Sequence, residues 1–237
     1  MLATDAARAV ASIWQARERI ELEAAALFDG LAGQLADIGA PRALVTMARE
    51  AGDDERAHAV MCRAIVDELG VELPPLPPPD AAPLGPAGLD KRQRALYAAV
   101  AISCVTETLS AALLLAMNDR AQPGRIRDTV HHILRDEISH SRLGWALLAA
   151  ERERGGEGAL TWLSAHLEPM LAEAVSADVE PMFESRAERP DYSAHGVLRR
   201  EQVGSVVREA IEQVIAPGLR EHGIDPAAAL RFAARYG

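Results

Sequence analysis

A proline-rich stretch divides the sequence into two helical halves. Residues 71–90, VELPPLPPPDAAPLGPAGLD, hold seven of the fourteen prolines of the chain. Proline has a fixed φ angle and lacks an amide donor, so this stretch cannot be helical and is expected to be an extended, stiff connection. A connection of this length can travel from one end of a helix pair to the other, so the two halves can form one bundle.

Two long helices are predicted on each side of this connection. Their apolar residues recur with helical spacing, and alanine, leucine, glutamate and arginine are abundant in them. A short glycine- and proline-containing turn joins the two helices of each half, which makes them antiparallel neighbours. The predicted helices are residues 5–38, 42–69, 91–118 and 125–154. The sequence therefore predicts an all-α fold, with a four-helix bundle and one long crossover in residues 1–154.

The remaining residues, 155–237, are predicted to be a helical C-terminal extension that packs on the bundle or builds a subunit interface. No composition change is strong enough to mark a separate domain, and a homodimer is the expected assembly. The expected segments are a helix over 159–183 bent near Pro169, a loop over 185–196, a helix over 200–223 and a short helix over 225–236 capped by Asp225.

Composition narrows the classes of partner and compartment. The formal net charge of the 237 residues is −10 and no basic stripe is present, which argues against nucleic acid as a partner. The two cysteines, Cys62 and Cys104, are too few for a disulfide framework or a thiolate zinc site, and they fit a reducing cytoplasm. The N-terminus does not resemble a signal peptide, and apolar runs such as SAALLLAM are too short to span a bilayer. A cytoplasmic protein without a membrane partner is expected.

A duplicated motif carries the chemistry of this sequence. DDERAHAVMC contains Glu55 and His58, and RDEISHSRLGW contains Glu137 and His140. The i, i+3 spacing puts each glutamate and its histidine on one helix face, and the neighbours on that face are small or apolar. One Glu-x-x-His motif in an alanine-rich helix is more often a surface ion pair, but two copies on apolar faces favour a buried site.

The other two predicted helices each offer a lone buried carboxylate. Glu107 is the only acidic residue between Asp90 and Asp119, and burying it as an anion would be costly unless it binds a proton, a cation or a metal. On the first helix Glu21 is favoured because it shares a face with Trp14 and Phe28. Glu18 and Glu23 lie on weaker apolar faces, and Glu23 is kept as the alternative.

Four carboxylates and two imidazoles suit two iron or manganese ions, either alike or mixed. Hard oxygen donors with one nitrogen for each metal are typical of such sites, and two divalent ions balance four carboxylates. Asp54 and Asp136 precede the two glutamates and are candidates to orient the histidine of the opposite helix. Small or polar side chains beside the ligands are candidates to line a pocket, although small residues also let helices pack closely. The pocket candidates are Cys62, Cys104, Ser103, Ser110 and Ala111.

At these residues the sequence resembles the ferritin-like di-iron carboxylate superfamily, whose motif is E…ExxH…E…ExxH. The resemblance rests on ELEAAALFDGLAGQLADIGAP, DDERAH, CVTETLSA and RDEISH, and it covers most of the chain. It implies a di-iron centre and favours Glu21 over Glu23. The arylamine N-oxygenases of the superfamily have a further histidine ligand where this chain has Ile133.

Three functions follow from this resemblance and the motifs. The first is an oxygenase or oxidase in which iron activates O₂ against a small organic substrate, with electrons from an external donor. The second is iron handling, as a ferroxidase, or rubrerythrin-like peroxide reduction, although the chain has no Cys-x-x-Cys rubredoxin module. The third is a non-catalytic helical scaffold, which the complete ligand set disfavours. We expect the first.

Overall fold

The chain is all-α, with hardly any sheet. The computed structural model describes residue 2 and residues 4–79, 84–184 and 191–236. Parts of the predicted crossover (80–83) and of the predicted loop (185–190) lie outside the described residues. The α-helices are α1 (Thr4–Asp37), α2 (Arg42–Leu69), α3 (Lys91–Ala99), α4 (Glu107–Arg120), α5 (Arg125–Gly155), α6 (Leu167–Ala174), α7 (Arg200–Ala210), α8 (Ala216–Glu221) and α9 (Ala227–Ala233).

Helices α1 and α2 form the largest helix–helix contact among the described residues. The large side chains Trp14, Phe28 and Leu35 of α1 are fully buried in the common core. Gly52 of α2 lies so close to α1 that a Cβ atom there would be 3.4 Å from the carbonyl oxygen of Ala25. Part of the small-residue content therefore serves close helix packing.

The proline-rich connection contains no helix in its described residues. Its first part is held along α1 by side-chain hydrogen bonds to backbone carbonyls: Arg8 donates to Glu72 and Gln15 donates to Pro74. The connection ends at Asp90, whose side chain accepts a hydrogen bond from the Gln93 amide and caps α3. Extended structure and a capped helix start are both what the sequence predicts here.

The third long helix changes its hydrogen-bond period in the middle. Between α3 and α4, Val100–Thr106 forms a π-helical segment, and the Glu107 amide donates to the carbonyl of Ile102. By length and composition the continuous helix Lys91–Arg120 could cross a membrane, a test that core helices of soluble proteins also pass. Here 67% of its most apolar window is buried within the structure. The expected absence of a membrane partner stays a prediction.

The C-terminal part is less regular than predicted. The helix predicted over 159–183 is continuous from Thr161 but irregular: a 3₁₀ helix, Thr161–His166, precedes α6, and a π-helical segment, Val175–Val179, follows it. Pro169 lies in the first turn of α6, where a missing amide donor is harmless, and the change from 3₁₀ to α-helix comes two residues before it. A 3₁₀ helix, Glu180–Met182, completes this stretch.

The last elements refine two further predictions. A π-helical segment, Ile211–Ile215, joins α7 to α8, so the helix predicted over 200–223 is continuous but irregular. The cap of α9 is Pro226, and Asp225, one residue earlier, accepts a hydrogen bond from the amide of Ala227. The remaining short elements are the 3₁₀ helices Ser193–His195 and Ala234–Tyr236 and a parallel pair of two-residue strands, β1 (Phe183–Glu184) and β2 (Leu198–Arg199).

The C-terminal part packs directly on α1, α4 and α5. Trp14 donates its indole N–H to the carbonyl of His195 at 3.0 Å, and Gly196 lies against the same ring. Trp145 of α5 stacks on His222 and contacts Gly218. These contacts place the tail against the core of the first 155 residues.

Candidate metal centre

Six buried side chains from four helices meet in the core. They form two overlapping groups, and within each group the candidate ligand atoms lie within 4.8 Å of one another. Glu55 and Glu137 belong to both groups, and His58 is completely buried. The groups are Glu21, Glu55, His58 and Glu137, and Glu55, Glu107, Glu137 and His140. Glu23, the alternative on α1, instead pairs with Arg19.

Each histidine uses its two ring nitrogens in opposite directions. The Nδ1 atom of His58 lies 3.1 Å from Glu55 Oε2, and its Nε2 atom lies 3.3 Å from Asp136 Oδ2. The second copy repeats the arrangement, since His140 Nδ1 faces Glu137 Oε2 and its Nε2 faces Asp54, both at 3.3 Å. Each aspartate thus reaches the histidine of the other motif. An imidazole held in this way presents one nitrogen to the cluster while the other hydrogen-bonds to a carboxylate.

Glu55 lies between the two histidines. Its Oε2 atom faces His58, and its Oε1 atom lies 2.9 Å from His140 Nδ1 but has no partner in hydrogen-bonding geometry. Glu55 Oε1 and His140 Nδ1 are arranged like two ligands that face a common cation. This set of hard oxygen and imidazole donors fits a divalent metal.

Arg17 is a member of the site that the sequence reasoning missed. Its guanidinium is buried, and its Nε atom donates to Glu21 Oε1 at 2.8 Å. It also donates to Ser110 Oγ at 3.2 Å, and Ser110 in turn donates to Glu137 Oε1 at 2.9 Å. Arg17 is one helical turn before Glu21, on the apolar face of Trp14, so a lone cation on that face was the available signal.

The cluster has two carboxylates that ionise readily. Burial opposes ionisation of Glu21, but the Arg17 guanidinium and the nearby His58 imidazole hold its pKa below the usual value. Burial also opposes ionisation of Glu137, and hydrogen bonds from Glu107 and His140 lower its pKa nevertheless. These two side chains carry the negative charge of the metal-free cluster.

The pKa of each of the other four titratable members is raised above its usual value. Burial, with repulsion from Glu137 and Glu21, raises the pKa of Glu55 to about 8. Burial and the Glu137 carboxylate raise the pKa of Glu107 well above its usual value. Burial disfavours protonated histidine, but adjacent carboxylates outweigh it and raise the pKa of His58 to about 11 and that of His140 to about 10.

These pKa shifts allow the cluster to have the same net charge with protons as with metal ions. When Glu55 and Glu107 are both protonated in the metal-free cluster, the two remaining carboxylates face three cations (Arg17 and both histidines), which leaves one positive charge. Two divalent ions in place of four protons would leave the same charge, because four carboxylates would then balance the ions and Arg17 would remain. Metal and protons can therefore exchange in this buried site without a change of its net charge.

A cavity of about 170 Å³ reaches the cluster between α1, the α3–α4 helix and the C-terminal part. Four of the carboxylates of the site and Arg17 lie in its wall. Its other walls are mostly apolar, and acidic side chains also line it. The apolar lining is Ile20, Ala24, Leu27, Leu84, Ala101, Ile102, Leu109, Leu113, Met170, Ala174, Ala177 and Val179, and the additional acidic lining is Glu23, Glu173 and Asp178.

Ser110 is the one predicted pocket residue that lies in the wall of this cavity. Cys104 and Ser103 pack against Gly144, where a Cβ atom would be 2.6 Å from the Cys104 sulfur. Cys62 is fully buried in the core. None of Cys62, Cys104, Ser103 and Ala111 is part of the lining of this cavity.

No protein-family model, no curated protein sequence and no solved structure matches the chain. The established result is an all-α protein with buried carboxylate and histidine clusters that could hold metal ions.

Proposed function

We propose that the chain is a ferritin-like oxidoreductase with a di-iron centre in a four-helix bundle, and that it activates O₂ to oxidise a small organic substrate. The observation that carries this proposal is the convergence of four carboxylates and two imidazoles at the end of a cavity. The duplicated motif and the long connection support the ferritin-like arrangement. Manganese, alone or with iron, would suit the same donors.

In this proposal each residue of the site has a defined task. Glu21, Glu55, His58, Glu107, Glu137 and His140 would hold the ions, which supply the redox chemistry when bound. Asp54 and Asp136 accept hydrogen bonds from the outer nitrogens of the histidines and keep Nδ1 directed inward. An external donor would supply electrons.

The cavity supports oxidation of an organic molecule rather than storage of iron. Its volume is about 170 Å³ and much of its lining is apolar. An engineered apolar cavity of about 150 Å³ binds benzene, so this space suits a substrate of that order of size. Apolar walls next to the carboxylates would hold such a substrate beside the centre and exclude water from it.

The first test is the metal content of the wild-type chain and of a Glu107→Gln variant, both produced with iron. Burial and the Glu137 carboxylate raise the pKa of Glu107 well above its usual value, and glutamine resembles the protonated carboxyl group in shape and charge. We expect two irons per wild-type chain and at most half of that in the variant, with little change in the stability of the metal-free protein. Glu201→Gln on the exposed face of α7 is the matched control and should keep both ions.

The second measurement is O₂ consumption by the reduced, iron-loaded protein with a panel of small apolar compounds. Faster consumption together with an oxidised organic product supports the oxygenase or oxidase. Consumption that depends only on added Fe²⁺, or turnover of peroxide without an organic product, would favour the ferroxidase or peroxidase. A wild-type chain that binds no stoichiometric metal would leave the helical scaffold as the remaining function.

A further inference from the structure

Two carboxylates of the site have their two oxygens in different surroundings. Oε1 of Glu21 accepts from Arg17 at 2.8 Å, and Oε1 of Glu137 accepts from Ser110 at 2.9 Å. Oε2 of Glu21 lies 3.6 Å from His58 Nδ1, and Oε2 of Glu137 lies 3.3 Å from His140 Nδ1. Both carboxylates are thus held by one oxygen and face the histidine ligand atoms with the other.

Arg17 takes part in the restraint of both carboxylates, Glu21 and Glu137. Its guanidinium reaches the Ser110 hydroxyl at 3.2 Å and lies 3.7 Å from Glu137 Oε1. The planar guanidinium donates in fixed directions, so it sets orientation as well as charge. Glu55 has no such restraint, because both of its oxygens face histidines.

We propose that Arg17 is a positioning residue of the metal centre, which with Ser110 holds the outer oxygens of Glu21 and Glu137 so that each offers one oxygen to metal. The inference rests on the proposed metal centre. Arg17 also adds a buried positive charge beside the ions. This charge disfavours the loss of an electron from them, and it therefore favours their divalent state.

The test compares Arg17→Met, Arg17→Lys and Ser110→Ala with the wild type. Each protein is loaded with Co²⁺, whose visible absorption reports the number and arrangement of ligands, and separately with iron for a redox titration. Arg19→Met is the matched control, since Arg19 and Glu23 form an i, i+4 pair on the same helix outside the cluster. Thermal unfolding of each metal-free protein measures the structural contribution.

In Arg17→Met the freed oxygen of Glu21 can also bind metal, so we expect weaker and shifted Co²⁺ bands and a lower reduction potential of the iron. Arg17→Lys keeps the charge but loses the planar donor, so its potential should stay near that of the wild type while its bands shift. Ser110→Ala should shift the bands, and it decides the question if Arg17→Met does not fold. Arg19→Met should change neither quantity.

Two outcomes overturn the inference and are distinguishable. A wild type that binds no Co²⁺ removes the proposed metal centre and this inference with it. In the second outcome the wild type binds two ions, and Arg17→Met or Ser110→Ala has the same Co²⁺ spectrum and the same reduction potential as the wild type and differs only in melting temperature. The metal centre then stands, and Arg17 is a purely structural residue.

Discussion

At the scale of single residues, the two motifs of this chain complete each other. Asp136 precedes Glu137 but contacts His58, and Asp54 precedes Glu55 but contacts His140. The two aspartates differ in exposure: the Asp136 side chain is 18% exposed and that of Asp54 is 49% exposed. A less exposed carboxylate is less screened by water, so it should matter more to its histidine.

We therefore expect Asp136→Asn to weaken metal binding more than Asp54→Asn does. Loss of such an outer partner typically costs about 10–100-fold in metal affinity, and we place Asp136→Asn in this range and Asp54→Asn at or below its lower end. Competition with a chelator of known affinity measures both. Asp53→Asn is the control, since Asp53 is exposed and pairs with Arg56. Equal losses in the three variants would contradict the assigned contacts.

At the scale of elements, the sequence predicted the long helices better than the short ones. The bounds predicted for α2 agree with Arg42–Leu69, because proline, glycine and the apolar period mark both of its ends. The π-helical segment Val100–Thr106 could not be read in this way, because its side chains form an ordinary buried apolar run. It lies directly before Glu107, and π-helical turns are frequent at functional sites.

Close contact between α5 and this π-helical segment leads to a second prediction. A Cβ atom on Gly144 would lie 2.6 Å from Cys104 Sγ and 3.0 Å from the carbonyl oxygen of Ala99. Gly144→Ala should therefore push the two helices apart and destabilise the metal-free protein by about 1–3 kcal/mol. Urea denaturation measures the change in the free energy of unfolding.

Gly33→Ala is the matched control for this substitution. Gly33 is also inside a helix, but nothing lies within 4 Å of the Cβ atom that alanine would add. The higher helix propensity of alanine should make this variant more stable by up to about 1 kcal/mol. Opposite signs for the two glycines are the expected result, and stabilisation by Gly144→Ala would contradict the close packing.

At the scale of the whole molecule, the candidate site depends on parts that are distant in sequence. Side-chain type and helical period predicted the six clustered residues, since each lies on an apolar helix face. The cavity could not be predicted, because Met170 and Ala174 of the tail form part of its wall and nothing local to them indicates it. Arg17 was missed because an arginine on a long helix usually extends into solvent, whereas this one lies on the apolar face of Trp14 and is buried.

The raised pKa values in the cluster make the stability of the metal-free protein depend on pH. The folded protein raises the pKa of His58 from 6.5 to about 11 and that of Glu55 from 4.5 to about 8. Where the folded pKa is higher, the folded state binds more protons, so the stability of the metal-free protein falls as pH rises from each unfolded value toward the folded one. His140 acts in the same direction, with a pKa of about 10.

Metal binding should show the opposite trend, because the ions replace protons on Glu55, Glu107, His58 and His140. We expect loading with Zn²⁺ to release up to four protons per chain, and the rise in melting temperature on loading to be larger at about pH 8 than at about pH 6. Calorimetry in two buffers of different ionisation enthalpy counts the protons. Glu107→Gln cannot release the proton of Glu107 and is expected to bind fewer ions, so at saturating Zn²⁺ it should release at least one proton fewer. Loading without proton release would mean that the carboxylates and histidines are already deprotonated in the metal-free protein, and the charge balance described above would then be wrong.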